Sequence, residues 1–587
     1  MHSLPTESDF DTRFRGRFAV ERSPILTEID VYLRKVVELR TRLNTFTDIN
    51  QLPTELLAKI FVAYAQDHYQ STICDRTSRP TGPHWIKLAH ICRHWREVAL
   101  GTPRFWSHVH AQQPRILSAL LPLSKSSPLY IDVEVPFYRY DPLSNDPPGW
   151  LSASELIGQA SHRLQELRCA LRLAEFRTLA EKLSHPMPLL EKVVLRSRVY
   201  QDEDALQPLH LIPTPGHTPR LRHLELRQLP FTWIDAIFCS GLTTLVVARK
   251  AHQYPGLSFG TFEQFLDALQ AIAPTLVHLT LEESVPQLQS PTTEPTLPSG
   301  GRRSITLSSL QTLRIVCNTN DCVHLMDHLS VNPEATMDLT GREGTGLERL
   351  TAILATHFSR SKPLLALRIA LSRSTPWVAI RSDENKYKLS EHPDSAYAKF
   401  RLTFPQSRMN HRQLLTAVLS SANTLFSNVH TLYLHTDSVE GYHIDWLSLF
   451  VCAPLVETLD IVGHPGKGFL EALSNVQEEA DSEQGQSPAT SVPLNHLRIL
   501  KLRDARFRSP SWRLGEPSGD SELSDQLIDW AILRCNYGVP LERLELSACT
   551  YATAEIVGRV EDVIGEVDWD GWERESTEQE YSDSSDS

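Results

Sequence analysis

One short motif in the sequence carries a residue type that hydrolases use. Gly256-Leu-Ser258-Phe-Gly260 has the G-x-S-x-G spacing of a nucleophile elbow, where a serine projects from a tight turn between a strand and a helix. The nearest predicted strand ends near Ala248, and Arg249–Pro255 separate that strand from the motif. The serine therefore falls in a loop, and a hydrolase using Ser258 ranks third among the functions that we consider.

Two histidines have the spacing of a metal site. His90 and His94 are four residues apart, which places both on one face of a helix. The only nearby candidate for a further metal ligand is Cys92, and Cys92 belongs to an apolar stripe of the helix. We interpret both as surface residues. The sequence predicts no catalytic residue, no metal site and no cofactor, and we expect a protein that is not an enzyme.

Length and charge restrict the classes of protein that fit this chain. At 587 residues it is too long for one core, and its 41% hydrophobic and 22% charged residues are typical of a globular protein. The net charge is −13, but residues 566–587 hold nine Asp and Glu against one basic residue, Arg574. The rest of the chain is only mildly acidic. A nucleic-acid-binding protein would need a basic domain, so we expect no nucleic-acid partner.

Cysteine usage and hydropathy predict the compartment. The nine cysteines are scattered and form no CxxC pair, which is typical of reduced thiols in the cytosol or nucleus. The N-terminus lacks the apolar core of a signal peptide, and no run reaches the roughly 18 apolar residues of a membrane span. We therefore expect a cytoplasmic or nuclear protein, or both, with no membrane partner.

An amphipathic helix is predicted over residues 23–47, after a polar lead over residues 1–22 that is expected to be disordered. Its apolar residues repeat at alternating spacings of four and three: Ile25, Ile29, Tyr32, Val36, Leu39, Leu43 and Phe46. Ser23 and Pro24 suit the start of this helix. A short coiled coil that dimerises through residues 25–46 fits the seam. We favour a helix folded back on the segment that follows.

Residues 48–110 contain two predicted amphipathic helices. The first opens at Pro53, with Glu55 at the positive end of the helix, and its apolar residues form one stripe: Leu56, Leu57, Ile60, Phe61 and Tyr64. The second is predicted over residues 85–99, with apolar residues spaced 3, 4, 3 and 4. Helices this short are marginal in water, so they require a partner, either the rest of the chain or another protein.

An ordered set of residues in this segment matches a known family pattern. It reads Leu52-Pro53-x-Glu55-Leu56-Leu57-x-x-Ile60-Phe61, Leu88-x-x-Ile91-Cys92-x-x-Trp95-Arg96-x-x-Ala99 and Pro103-x-Phe105-Trp106. The segment resembles an F-box, in the form found in the large F-box families of fungi. The resemblance covers residues 49–109, and the insert at residues 65–84 is longer than in the family pattern.

The resemblance implies a binding partner. An F-box binds the Skp-type adaptor, and through it a cullin, of a cullin–RING (SCF-type) ubiquitin ligase. The resemblance assigns these residues to adaptor binding: Leu52, Pro53, Leu56, Ile60, Phe61, Leu88, Cys92, Trp95 and Trp106. Several of them match family positions that form either the core of the module or its adaptor contact, and the sequence does not separate these two roles.

One apolar pattern recurs through residues 161–555, after a linker at 111–160 that contains a predicted strand at Leu129–Val135. Ten copies of apolar-x-x-apolar-x-apolar have these middle residues: Val193, Leu224, Leu245, Leu279, Leu313, Leu367, Leu432, Leu459, Leu500 and Leu544. Each copy predicts a short strand, helix-period runs lie between copies, and stacked units of this kind pair their strands in parallel. The pattern resembles leucine-rich repeats, although successive middle residues are 21 to 65 apart. We predict an α/β fold, with the helical F-box followed by an irregular strand–helix solenoid.

The strand residues between these leucines face the open side of such a sheet, and solenoids bind partners there. Arginine and aromatic side chains are frequent binding hot spots. These criteria select four candidate target contacts, Arg227, Arg368, Tyr433 and Arg503, on a face that otherwise would be merely solvated.

The sequence thus favours a substrate-recognition subunit of a ubiquitin ligase, with an unknown target protein. The alternative is a repeat scaffold whose F-box-like hairpin never meets a ligase. The acidic tail at residues 566–587 is expected to be disordered, with local docking of Val567, Trp569 and Trp572 as an exception.

Overall fold

The structure is a computed structural model of the chain. It describes residues 7–74, 84–111, 115–134, 150–183, 185–197, 209, 217–235, 237–238, 241–249, 260–286, 303–342, 346–360, 363–371, 377–381, 399–403, 426–436, 445–466, 468–478, 490–507 and 523–573. The chain divides into two compact units. The first is Met1–Asp202 with Leu209–Leu221, and the second is Glu203–Pro208 with Arg222–Ser587.

Four of the helical elements at the start of the first unit form the framework of the site described below. They are α1 (Glu7–Asn44), α2 (Thr54–Cys74), a 3-10 helix (His84–His90) and α3 (Arg93–Gly101). Helix α1 begins at Glu7 and not at Ser23, so the prediction of a disordered lead is wrong for residues 7–22. Pro24 lies inside α1, and the helix continues on both sides of it although an interior proline costs about 3 kcal/mol.

The apolar seam of α1 is exposed, so the prediction that this helix folds back is wrong. The six seam residues within the helix, together with Phe46 just after it, are 44–75% exposed. The C-terminal end of the helix is anchored by Asn50, whose Nδ2 donates to the Asn44 carbonyl at 2.7 Å and whose Oδ1 accepts from Trp95 Nε1 at 2.6 Å. The helices that follow fill their own core with aromatic side chains, and the described contact of α1 with them is at its C-terminal residue, Asn44.

Helix α2 is longer than predicted, and the second predicted helix is broken. Helix α2 has 21 residues, because Ala65 and Tyr69 continue its buried stripe into the segment that we interpreted as an insert. The chain breaks at Cys92, whose Sγ caps α3 by accepting from the Trp95 N–H at 3.5 Å. Apolar spacing alone does not show such a break, because the mean spacing of apolar residues across the 3-10 helix and α3 is that of a continuous α-helix.

The rest of the first unit is a parallel sheet with helices between its strands. The strands are β1 (His108–Ala111), β2 (Leu129–Glu134), β3 (Leu164–Leu171) and β4 (Lys192–Ser197), which pair in that order. The helices are α4 (Arg115–Leu120), α5 (Trp150–Gln159) and α6 (Leu173–Lys182). The predicted strand at 129–135 is found, but it belongs to this sheet and not to a linker.

The second unit alternates strands and helices over a longer stretch. Its strands are β5 (His223–Arg227), β6 (Thr244–Ala248), β7 (His278–Glu282), β8 (Ile305–Leu307), β9 (Thr312–Cys317), β10 (Leu329–Val331), β11 (Thr336–Gly341), β12 (Ala366–Leu371), β13 (Trp377–Arg381), β14 (Phe400–Thr403), β15 (Thr431–Thr436), β16 (Thr458–Val462), β17 (Gln477–Glu478), β18 (Thr490–Ser491), β19 (Ile499–Arg503), β20 (Arg543–Ser547) and β21 (Val567–Trp569). Its helices are α7 (Phe262–Ile272), α8 (Thr319–Met326), α9 (Leu347–Phe358), α10 (Trp446–Cys452), α11 (Phe469–Leu473), α12 (Leu523–Asn536) and α13 (Ala554–Glu561).

The main sheet of the second unit is mostly parallel. Its strands pair in the order β5, β6, β7, β9, β11, β14, β13, β12, β15, β16, β19, β20 and β21. Only β13 among these runs antiparallel to its neighbours, β12 and β14. Strands β11, β13 and β14 were not predicted. In β11, Glu334 stands where the pattern requires the first apolar residue, so the sequence criterion misses this copy.

Stacked leucines form the core of this sheet. Leu224, Leu245, Leu279 and Leu313 are register partners on successive strands, and each is at most 1% exposed. The residues between the apolar positions are mostly half-buried, which gives the alternating burial of a strand with one covered face. The predicted α/β class, with helices first and then a mostly parallel sheet, is confirmed.

The first part of the acidic tail is ordered, so the prediction of disorder is wrong for residues 566–573, and the predicted exception, local docking of Val567 and Trp569, is found. Strand β21 pairs in parallel with β20. Arg543 on β20 forms ion pairs with Glu566 at 3.1 Å and Asp568 at 2.7 Å. The ion pairs of Glu566 and Asp568 with Arg543 therefore help to hold β21 at the edge of the sheet. The rest of the tail lies outside the described residues.

Candidate functional site

Helix α2 carries two apolar stripes on adjoining faces. Its inner stripe consists of residues that are at most 1% exposed: Leu57, Phe61, Ala65 and Tyr69. Its outer stripe consists of exposed residues: Pro53, Leu56, Ile60 and Tyr64. The last three are 44–47% exposed. Residues three or four apart are neighbours on a helix surface, so the outer stripe is a continuous apolar line about three turns long.

The inner stripe packs on an aromatic cluster. The ring of Phe61 lies 5.0 Å from that of Trp95 and 5.6 Å from that of Phe105, and Phe105 contacts Trp85 at 4.8 Å and Trp106 at 4.9 Å. The Trp106 indole N–H donates to the Ala99 carbonyl at 2.7 Å. The indole N–H groups of Trp95 and Trp106 therefore both have hydrogen-bond partners. The cluster fixes α2 against the 3-10 helix and α3.

This packing divides the nine residues that we predicted to bind an adaptor. Phe61, Trp95 and Trp106 are at most 9% exposed and belong to the core, so their assignment as adaptor contacts is wrong. Leu52, Leu88 and Cys92 are half-buried. Pro53, Leu56 and Ile60 are exposed on the outer stripe. The large aromatic residues are buried because they fill the space between α2, the 3-10 helix and α3.

The sequence prediction missed four exposed apolar residues in this segment. Tyr64 completes the outer stripe, and Ile49, Ile91 and Leu100 are 42–58% exposed. The sequence did contain a signal for Tyr64. An apolar pair at both i and i+1, repeated every four residues, makes the apolar face of a helix wider than one neighbouring helix covers.

The helical segment is joined to the first sheet by a buried polar contact. Tyr69 of α2 packs edge-on against His108 of β1 at 5.6 Å, and His108 stacks on Tyr130 of β2 at 4.3 Å. His110 Nδ1 lies 2.8 Å from Asp132 Oδ2. Burial lowers the pKa of His108 to about 4, so its ring is neutral at physiological pH. The F-box-like segment and the first strands therefore share one core.

The predicted target contacts Arg227 and Arg503 are held in ion pairs with carboxylates. Arg227 Nε lies 2.5 Å from Glu225 Oε1, and a second pair joins Arg227 to Glu282 at 3.8 Å. Arg503 pairs with the carboxylate of Asp460, which is only 2% exposed. Burial raises the pKa of Asp460, and the positive charge of Arg503 opposes that rise. These arginines stabilise the sheet face and are less available to a target than we predicted.

The other two predicted contacts lie side by side. Arg368 on β12 and Tyr433 on β15 are register partners, and both are half-buried. Tyr433 is in turn the register partner of Asp460 on β16, which is next to the β19 strand that carries Arg503. Arg227 lies on β5, and six strands of the sheet separate β5 from β12. The structure therefore brings three of the four residues together and leaves Arg227 apart.

The other motifs give no catalytic geometry in the part of the chain that is described. Residues 256–259, which include Ser258, lie outside it. His90 is exposed and His94 is half-buried. No group of three His, Cys, Asp or Glu residues among the described ones has the geometry of a metal site. No helix among the described residues is both long and apolar enough to cross a membrane.

Comparison with known families agrees with the helical geometry. Residues 49–112 match the family described as F-box-like. The match includes α2, the 3-10 helix, α3 and β1, and therefore contains the outer stripe and the aromatic cluster. The chain thus carries an F-box-like domain near its N-terminus. No curated protein matches the chain.

Proposed function

We propose that this chain is the substrate-recognition subunit of a cullin–RING (SCF-type) ubiquitin ligase and is not itself an enzyme. Its F-box-like domain binds a Skp-type adaptor, and through it a cullin, in the cytoplasm or nucleus. F-box domains generally bind adaptors of this type. The observation that carries the proposal is the exposed outer stripe of α2 inside the matched domain.

The physical argument rests on the contrast between the two stripes. The inner stripe and the aromatic cluster give the domain its own core, so the outer stripe is not needed for folding. Pro53, Leu56, Ile60 and Tyr64 keep apolar surface in water, and covering such surface gains roughly 25 cal/mol per Å². A partner with an apolar groove about three turns long is therefore the natural cover for this stripe.

The second unit supplies the target-binding part of the proposal. Arg368 and Tyr433 are register partners on neighbouring strands, and arginine and tyrosine are common hot-spot residues. Arg503 positions Asp460 beside them through its ion pair. The target is a protein whose identity this surface does not define.

Affinity purification of the full-length protein from its host cells tests the proposal. Adaptor and cullin should both be recovered with the wild-type chain. Replacing Arg368 and Tyr433 with alanine should leave adaptor recovery unchanged and remove the target. If neither adaptor nor cullin is recovered, the ligase proposal fails, and a repeat scaffold that never meets a ligase takes its place.

A further inference from the structure

Helix α1 exposes an apolar seam that no described residue of the chain covers. The seam residues between positions 25 and 43 fall on the a and d sites of a heptad repeat. The a sites are Ile29, Val36 and Leu43, and the d sites are Ile25, Tyr32 and Leu39. All six are 44–68% exposed. Such a seam is typical of a helix that pairs with another helix along its length.

We propose that α1 pairs with α1 of a second copy of this chain as an antiparallel two-stranded coiled coil. This pairing is independent of adaptor binding and goes beyond the proposed function. The choice of the partner and of its direction rests on the register and on the charges beside the seam.

An antiparallel register places every a site opposite a d site of the other copy. Ile29 faces Leu39, Val36 faces Tyr32, and Leu43 faces Ile25, and the twofold axis repeats each layer. All six layers are therefore apolar. Leu33, which is 56% exposed, flanks the seam close to the axis and meets its own copy there.

The charges beside the seam favour the antiparallel direction. The g sites are Glu28, Lys35 and Arg42, all exposed. In the antiparallel coil Glu28 of each copy faces Arg42 of the other, which gives two attractive pairs. Lys35 meets its own copy at the axis, but each Lys35 is already paired with Glu38 of its own helix at 2.9 Å.

A parallel coil would lack these attractive pairs. Its g sites face e sites of the other copy five residues further along, so Lys35 would face Arg40 twice and Glu28 would face Leu33. Like charges would then meet twice with no compensating pair. The charges beside the seam are therefore complementary in the antiparallel coil and not in the parallel coil.

The antiparallel geometry separates the two F-box-like domains. In the antiparallel coil the C-terminal ends of the two α1 helices lie about 30 Å apart, at a rise of 1.5 Å per residue. Each α1 is tied to its own F-box-like domain through Asn50. The two domains therefore leave the coil at opposite ends. Three heptads form a short coil, so we expect dissociation in the micromolar range.

Sedimentation equilibrium of the full-length protein, from sub-micromolar to tens of micromolar concentration, tests the proposal. The wild type should approach twice the chain mass of 66.4 kDa as concentration rises. Val36→Asp with Leu39→Asp should leave a monomer. The matched control, Thr27→Asp with Thr41→Asp on the opposite face of α1, should still dimerise. Circular dichroism should show that both variants keep the wild-type melting temperature.

Charge reversal tests the direction of the pairing. Glu28→Arg alone and Arg42→Glu alone each turn both attractive pairs into repulsive ones, so each should weaken the dimer about tenfold. A mixture of these two variants restores opposite charges at both contacts and should dimerise as the wild type does. A wild type that stays monomeric, a seam variant that still dimerises, or a mixture that stays weak would each overturn the proposal.

Discussion

At the scale of single residues, neighbours in α2 have opposite roles. Phe61 is fully buried against Trp95 and Phe105, whereas Ile60, one position earlier, is 46% exposed. Sequence alone does not distinguish them, because both are large apolar residues of one apparent stripe. The difference comes from the position of the aromatic cluster, which covers only one side of the helix.

This contrast predicts different costs for two adjacent substitutions. Phe61→Ala should lower the free energy of unfolding by about 3–5 kcal/mol, because it opens a cavity in the aromatic cluster. Ile60→Ala should lower it by less than about 1 kcal/mol, because its side chain is half in water. Urea unfolding followed by tryptophan fluorescence measures both. Equal losses would contradict the division into inner and outer stripes.

His108 makes stability depend on pH. Burial lowers its folded pKa to about 4, below the value near 6.5 that an unfolded histidine has. Between these two values the unfolded chain binds the extra proton, so stability is complete above about pH 6.5 and falls as the pH drops toward 4. The loss attributable to His108 should reach up to about 3 kcal/mol.

Comparing unfolding at pH 7 and pH 5 in the wild type and in His108→Gln tests this prediction. The glutamine variant should lose less stability between the two pH values, because it does not titrate. An identical loss in both proteins would show that His108 is not the responsible group.

At the scale of elements, strands were the easiest to predict. A short strand with one buried face repeats its apolar residues every second position, and the leucines of β5, β6 and β7 follow that rule. Strand β13 is missed because it pairs antiparallel between two parallel strands and lacks the repeat pattern. Pairing between distant strands is not encoded in local periodicity.

Helix boundaries were harder to predict, for two local reasons. Helix α2 continues through a polar stretch because Ala65 and Tyr69, which are four residues apart, are buried on its inner face. The break at Cys92 depends on a cap, and a cap leaves the average spacing of the apolar residues unchanged. In the candidate site, the division of the predicted residues between buried and exposed positions required the packed structure.

The ordered part of the tail gives a prediction for one element. A chain that ends at Gly565 loses β21 and the carboxylates that pair with Arg543. It should melt about 2–5 °C below a chain that ends at Glu573. The acidic composition of residues 574–587 predicts that ending the chain at Glu573 has little effect on melting. Calorimetry of the three proteins measures this, and equal melting temperatures would mean that β21 does not contribute.

At the scale of the whole molecule, the F-box-like domain is continuous with the first sheet. Tyr69, His108 and Tyr130 form one buried contact from α2 to β2. A fragment of residues 45–112 would therefore lose β2, and binding is best measured on the full-length chain. The same contact means that a partner seated on the outer stripe of α2 is held in a fixed position relative to the first sheet.

Direct titration of the full-length chain with a purified Skp-type adaptor tests the central claim. Calorimetry should show one adaptor bound per chain. Leu56→Asp with Ile60→Asp, which places charge on the outer stripe, should weaken binding at least about tenfold, because a buried unpaired charge is costly. Lys59→Asp, an exposed substitution on the same helix outside the stripe, should bind as the wild type does. If the wild type does not bind, or if the stripe variant binds equally well, α2 is not an adaptor-binding helix.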